Sequence, residues 1–194
     1  MWKTTIRALE CQFGGDYLDW LVKPYNLSTA LKRVCTQLSV RILYQGRDVY
    51  CDDECQVLQD DASAQHCYVR QVILQGDDRP FCFARIVAPW SVYQQYQQQF
   101  DTLDGNLLGN TLLYSNSNTT RSPFEYQCID KSHAYYACLD SNLSEPLPQG
   151  ESLAARRSIF HMDGDYPLLV SEVFMPDIPA YPSQPCMERE TQRY

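Results

Sequence analysis

The spacing of apolar residues changes near residue 38. Before it they recur at helical intervals. Tyr17, Leu18, Trp20 and Leu21 make one amphipathic segment that Asp16 can cap and Pro24 ends. Leu27, Leu31 and Val34 make a second, opening at Asn26 or Ser28. After residue 38 alternation takes over. It predicts a strand from Leu38 to Leu43 that ends near Gly46, and a second from Cys67 to Leu74, closed by Gly76-Asp77-Asp78. Phe81 to Ala88 follows as its antiparallel mate, stopped by Pro89. The polar, acidic stretch 47–66 between the first two strands reads as a loop with a short strand or turn.

Ser91 to Phe100 returns to helical spacing, with Val92, Tyr93, Tyr96 and Phe100 along one edge. Residues 101–114, with glycines on either side of Leu107 and Leu108, read as a turn feeding a short helix that Asn110 can cap; 115–120 is loop. Pro123 to Ile129 predicts a strand that carries Glu125. Residues 130–152 hold turn formers, two prolines and no period, which suits an exposed excursion.

The stretch AARRSIFHMDGDYPLLVSEVFMP, residues 154–176, predicts two strands joined at Asp163-Gly164, because glycine takes the positive φ of short hairpin turns. The second strand puts Leu168, Val170, Glu172 and Phe174 on one face, and Leu169, Ser171, Val173 and Met175 on the other. Glu172 thus stands in an apolar stripe, where a carboxylate losing its hydration needs a donor, a proton or a ligand; a structural ion pair meets that need equally well. Beyond Pro176 three more prolines and a charged end suggest a wrapping tail. The order is that of a single α+β domain over residues 1–194, with a mainly antiparallel sheet covered on one face by helices.

Charge narrows the partners. A formal net charge of −8, with the signs mixed along the chain, argues against nucleic acid or an anionic membrane, while a few local arginines still allow a small anion. No apolar run approaches the roughly 18 residues of a membrane span, and the N-terminus lacks the apolar core of a signal peptide. The expectation is a cytoplasmic protein with no transmembrane segment. Its nine cysteines are irregularly spaced, without paired CxxC knots, and His66, His133 and His161 do not cluster with them at finger spacing. They read as reduced thiols, with no metal site, and the sequons at Asn26, Asn118 and Asn142 as unglycosylated.

No Walker loop or nucleophile elbow is present. What remains is a set of charges inside or beside strands: Arg70, Arg85, Arg121, Glu125, Arg156, Arg157 and Glu172. Arg70 shares a face with Tyr68, Val72 and Leu74, and Arg85 with Phe83 and Val87. One buried carboxylate facing a few arginines suits a small, flat anion with polar ends, since guanidinium grips a carboxylate with two hydrogen bonds.

These residues, in this order, resemble the chorismate pyruvate-lyases of bacterial ubiquinone synthesis. Leu18-Asp19-Trp20-Leu21 is similar to the family's early helix and Asn26 to Leu31 to its first flap. Tyr68-Val69-Arg70 with Val72 to Leu74 resembles its arginine strand, and Arg79-Pro80 through Ala84-Arg85 the partner strand. Leu107-Leu108-Gly109 is similar to the second flap, and Arg121 with Glu125 to the following Arg-x-x-x-Glu strand. Arg156-Arg157-Ser158, Pro167-Leu168-Leu169 and Glu172 to Pro176 complete the closing hairpin. The resemblance spans about residues 16–181, with an insertion near 128–152 and a tail at 182–194. Ile86 stands where the family has a small hydroxyl residue, and Phe81-Cys82 where it has tryptophan.

The resemblance implies an antiparallel sheet with a ligand buried under two helical flaps. It implies conversion of chorismate to 4-hydroxybenzoate and pyruvate, the first committed step of ubiquinone biosynthesis, without metal or organic cofactor. By the same resemblance Arg70 grips the ring carboxylate, the backbone amides of Leu27 and Leu108 contact the ligand, and Glu172 meets the ring hydroxyl, as acid or base or only as an orienting group. The partners are then substrate and product alone, and the protein acts as a monomer. A second arginine is needed for the enolpyruvyl carboxylate. A two-residue loop at Asp163-Gly164 would put Arg157 on the face of Glu172, and a loop one residue longer would put Arg156 there. Arg85 competes for the role, and Arg156 or Arg157 can instead make a structural pair with Glu125. The alternative function is a non-catalytic, effector-binding domain of the same fold.

Overall fold

The computed structural model describes all residues except 11, 25, 52, 62–65, 109–112, 114–117, 148–151 and 183–194. Gly109, the Asn110 cap and the tail from 183 onward lie outside the described residues. Three short helices come first: α1 (Arg7–Glu10), α2 (Gly15–Val22) and α3 (Leu27–Leu31). Strand β1 (Leu38–Asp48) and helix α4 (Glu54–Val57) precede the hairpin of β2 (Cys67–Gly76) and β3 (Arg79–Pro89). Helices α5 (Trp90–Gln95) and α6 (Gln97–Asp101) lead to β4 (Thr120–Arg121) and β5 (Glu125–Ile129). Helix α7 (Ala134–Asp140) and the hairpin of β6 (Leu153–Met162) and β7 (Tyr166–Phe174) complete the domain.

The strands form one antiparallel sheet in the order β1-β2-β3-β7-β6-β4, with β5 also pairing β6. Each hairpin turns where its residues tolerate it. Asp77 and Asp78 close β2–β3 with φ of 49° and 64°, the left-handed conformation that aspartate accepts more readily than most residues. The Asp77 carboxylate also accepts from the backbone N–H groups of Thr36 and Gln37, which ties the turn to the entry of β1. In the β6–β7 hairpin Met162 pairs with Tyr166, so the loop has three residues, Asp163-Gly164-Asp165, with φ of 47° and 87° at the first two.

Helix α3 starts where the Asn26 side chain accepts from Thr29 N at 3.1 Å. Helix α2 is preceded by Gly14, and its Trp20 and Leu21 are buried. Trp20 Nε1 donates to Pro179 O at 2.7 Å and Tyr17 donates its hydroxyl to Phe174 O, so α2 is fastened across the end of β7. Together with α3, α5 and α6 it covers one face of the sheet, over Val72, Ala84, Ile86, Leu168 and Phe174.

The other face is covered as well, contrary to the one-sided reading. Its strand residues Ile73, Phe83, Ala155 and Val173 are apolar and need a lid, which Tyr135, Tyr136 and Leu139 of α7 supply. Val69, Val87 and Leu169 pack with Leu58, just after α4. Residues 130–152 are therefore not simply an exposed excursion. They contain a helix whose first turn is capped by His133 Nδ1, accepting from Tyr135 N at 3.1 Å.

Candidate active site

Strand register decides which charges meet. Arg70 pairs with Ile86 and Ile86 with Val170, while Ala84 pairs with Glu172. Arg70 and Glu172 therefore sit on the same face, two strands apart and one step along, with β3 between them. At a strand spacing of about 4.8 Å and a rise of about 3.3 Å per residue, their Cα atoms stand about 12 Å apart. That leaves room between the two side chains for one six-membered ring with polar ends.

A cavity of about 80 Å³ occupies this place. Val72, Ala84, Ile86 and Val170 form its floor, and Leu27, Leu107, Leu108 and Leu113 close it from the helical side. Arg70 and Glu172 are on its wall, as are Arg121, Phe124 and Ser158. Two wider clefts, of about 570 and 550 Å³, lie elsewhere. They are ordinary mixed-charge surface, so volume alone does not pick the site. The apolar floor with opposed polar ends does.

Arg70 is 1% exposed. It donates to Gln45 Oε1, to Asp104 O at 2.6 Å and to Asn106 O at 3.2 Å. Burial lowers its pKa. A carboxylate reaching this guanidinium has to take over N–H groups now given to the 104–106 segment, which leads directly to Leu108. Behind Arg70, Tyr68 stacks on Tyr93 at 4.9 Å and against Phe100 at 4.5 Å, anchoring α5 and α6 to β2.

Glu172 is held from below. Arg156, its direct cross-strand partner, donates Nε to Glu172 Oε2 at 2.5 Å. The same guanidinium donates Nη1 to Trp20 O, Leu21 O and Pro24 O, at 3.3, 3.1 and 3.0 Å. These carbonyls lie at the C-terminal end of α2, where a helix leaves acceptors unsatisfied and favours positive charge. One arginine thus orients the carboxylate and pins the α2–α3 segment above it.

Two of the expected site arginines are elsewhere. Arg157 is not on the cavity wall, because the hairpin loop has three residues rather than two. Its side chain points to the opposite face, pairing with Asp53 at 2.7 Å and Glu125 at 2.7 Å. The structural pair with Glu125 that the sequence left open is thus made by Arg157. Arg85 also faces away: it pairs with Arg70's neighbour Gln71 in register, and its guanidinium binds Glu54 at 2.8 Å, both side chains 1% exposed. Tyr135 donates to the same carboxylate at 2.8 Å, which completes a polar cluster under α7. Leu27 and Leu108 do line the cavity. Arg121, Phe124 and Ser158 were not assigned to the site from sequence, although Arg121 stood among the strand-borne charges.

An antiparallel sheet with a pocket on one face, walled by a buried arginine and a paired glutamate, defines the class of site: an apolar floor between opposed polar ends. The sequence profile of the family described as "Chorismate lyase" matches residues 6–182. The chain belongs to the chorismate lyase family. It is 29% identical over 167 residues to the chorismate pyruvate-lyase of Pectobacterium carotovorum subsp. carotovorum, covering 84% of this chain and 78% of that one. It is 35% identical over 161 residues to a probable chorismate pyruvate-lyase 2 of Pseudomonas entomophila, covering 82% and 80%. Among solved structures the fold resembles PhnF from Mycobacterium smegmatis, with a TM-score of 0.56 at 12% identity over 87% of this chain and 71% of that one. It also resembles the C-terminal domain of the histidine utilization repressor from Pseudomonas syringae pv. tomato, with a TM-score of 0.55 at 10% identity over 76% and 98%. At such identities these two likenesses concern the fold alone. No helix among the described residues is long and apolar enough to cross a membrane.

Proposed function

We propose that this protein is a chorismate pyruvate-lyase, releasing 4-hydroxybenzoate and pyruvate, and that it commits chorismate to ubiquinone biosynthesis as a cytoplasmic monomer. The observation that supports this reading is the pairing of Arg70 and Glu172 on the wall of one apolar-floored cavity in a chain of this family. Arg70 takes the ring carboxylate, and Glu172 takes the ring hydroxyl at the opposite end. Leu27 and Leu108 close over the ring. The ether C–O bond breaks and the ring carbon bearing the hydroxyl loses its hydrogen, so the ring becomes aromatic. The enolpyruvyl fragment gains a hydrogen at its methylene carbon and leaves as pyruvate. Aromatisation drives the step, and the site contributes orientation and a preorganised field in a water-poor pocket.

On this reading the product lies beneath Leu27 and Leu108, and the segments bearing them part before it leaves. Turnover is then limited by release, and 4-hydroxybenzoate inhibits. The deciding assay incubates the purified protein with chorismate and follows pyruvate and 4-hydroxybenzoate. Product above the spontaneous background is expected, and its absence rejects the lyase reading. Arg70→Ala and Glu172→Ala are expected to reduce turnover at least a hundredfold while the protein stays folded, the scale of losing one oriented electrostatic contact. A single-turnover rate no faster than steady-state turnover would remove the release-limited part of the proposal.

A further inference from the structure

We infer that Ser158 is a specificity-determining residue of this pocket, its hydroxyl donating to the enolpyruvyl arm that chorismate has and 4-hydroxybenzoate lacks. The inference rests on the lyase reading above. Register places Ser158 opposite Val170, Val170 opposite Ile86 and Ile86 opposite Arg70, so the four make one row across the sheet. All four line the cavity. Val72, Ala84, Glu172 and Arg156 make the neighbouring row, two residues along each strand. Arg70 and Glu172 are thus diagonal corners of the floor. Val72 and Ala84 lie on one side of that diagonal, and Val170 and Ser158 on the other.

Ser158 is 4% exposed, and alternation along β6 turns it to the cavity face with Arg156 and Phe160. Among the described residues its Oγ makes no hydrogen bond. The other buried serines do: Ser28 donates to Asn26 Oδ1 at 2.8 Å, and Ser171 accepts from the Tyr135 hydroxyl at 3.3 Å. Buried polar groups are as a rule paired, because leaving one without a partner costs free energy. A buried hydroxyl that lines a cavity and lacks a protein partner is placed to find one in the ligand.

Chorismate carries its arm on the ring carbon next to the one bearing the hydroxyl. With the ring carboxylate on Arg70 and the hydroxyl on Glu172, that carbon turns to one flank of the diagonal. The flank of β2 and β3, with Val40, Val72, Leu74 and Ala84, is apolar and offers an anionic arm no donor. The flank of β6 carries Ser158, a diagonal neighbour of Glu172 with Cα atoms about 7–8 Å apart. Ser158 and Phe124 also line the outer cleft of about 550 Å³, so space for an arm longer than the ring adjoins this flank.

The test compares chorismate with 4-hydroxybenzoate on wild type and Ser158→Ala, which removes the hydroxyl and almost no volume. The expected result is a fall in kcat/KM for chorismate of about tenfold to a hundredfold, the scale of a lost hydrogen bond to a charged group. The Kd for 4-hydroxybenzoate should stay within about twofold of wild type. The melting temperature without ligand should equal or exceed that of wild type, because the substitution removes a buried hydroxyl that has no partner. An unchanged kcat/KM overturns the inference. So does a 4-hydroxybenzoate affinity that falls in step with chorismate, because Ser158 would then serve the ring or only shape the pocket. A lower melting temperature also overturns it, since the hydroxyl would then be held by the protein. If wild type itself makes no pyruvate, the lyase reading fails separately. Equilibrium binding of both acids to the two proteins then decides: a loss confined to chorismate supports the role of Ser158, and any other result overturns it.

Discussion

Arg156 and Glu172 face each other directly across β6 and β7, and the 2.5 Å contact between Nε and Oε2 ties the two strands together at the Glu172 end of the pocket. The same arginine holds the end of α2 through three carbonyls, so loss of this one side chain strands a carboxylate and three acceptors in the interior. Breaking a buried pair from one side costs about 3–5 kcal/mol. Arg156→Met should therefore lower the unfolding free energy by about that amount in urea titrations. The double variant Arg156→Met/Glu172→Gln should recover a good part of the stability and none of the lyase activity. Recovery of activity in the double variant would show that Glu172 does not contact the reacting ligand.

On the opposite face, Arg85 and Glu54 form a second buried pair, joined by the Tyr135 hydroxyl and by Cys51 N. This cluster is remote from the cavity wall, so its effect is expected on stability alone. Glu54→Ala should cost about 3–5 kcal/mol, and replacing both charges, as in Glu54→Leu/Arg85→Met, should return most of it. Thermal unfolding of the three variants measures this, and kcat of the folded double variant should match wild type. A large loss of kcat there would mean that the back of the sheet controls the pocket.

Acid sensitivity has a local source in Asp53. Hydrogen bonding from Arg157 holds its carboxyl below the ordinary value of 3.8. A lowered folded-state pKa stabilises the protein above the unfolded value, and that stability is lost as pH falls through the lower, folded one. Asp53 is 40% exposed, so solvent screening keeps the contribution to about 1 kcal/mol or less. The stability gap between wild type and Asp53→Asn should be constant above about pH 5 and close progressively below about pH 4. A gap that persists to lower pH would assign the acid sensitivity to other carboxylates.

The thiols divide by burial. Burial pushes Cys67 up to about 12 and Cys82 well above the ordinary thiol range. Both are buried in the sheet, Cys82 against Glu172's side. Since the thiolate is the reactive form, neither should be alkylated by iodoacetamide at pH 8 until the protein unfolds. Peptide mapping by mass spectrometry under native and denaturing conditions checks this, and modification of either residue in the folded state would contradict the packing.

Much of the pocket was legible along the chain. Strand alternation is a property of each segment, so Arg70 with Val72 and Leu74, and Glu172 with Val170 and Phe174, were grouped correctly before any strand was paired. Resemblance then supplied the family, which periodicity has no means to name. Helix α7 was hidden by its surroundings: prolines and turn formers on either side obscured Tyr135, Tyr136 and Leu139, whose burial depends on the apolar back of a sheet assembled from distant segments.

The choice among the arginines belonged to the tertiary structure. Which of Arg156 and Arg157 lies beside Glu172 turns on one residue of loop, and a one-residue slip reverses every side chain of a strand. The face of Arg85 relative to Arg70 follows from the β2–β3 register, and the nearness of Arg121 to Glu172 runs through Phe124 and Arg156. Sequence by itself determined which residues of each strand act together. Pairing, turn length and side-chain contact decided which strands' residues meet, because those depend on distances between segments that no local pattern contains.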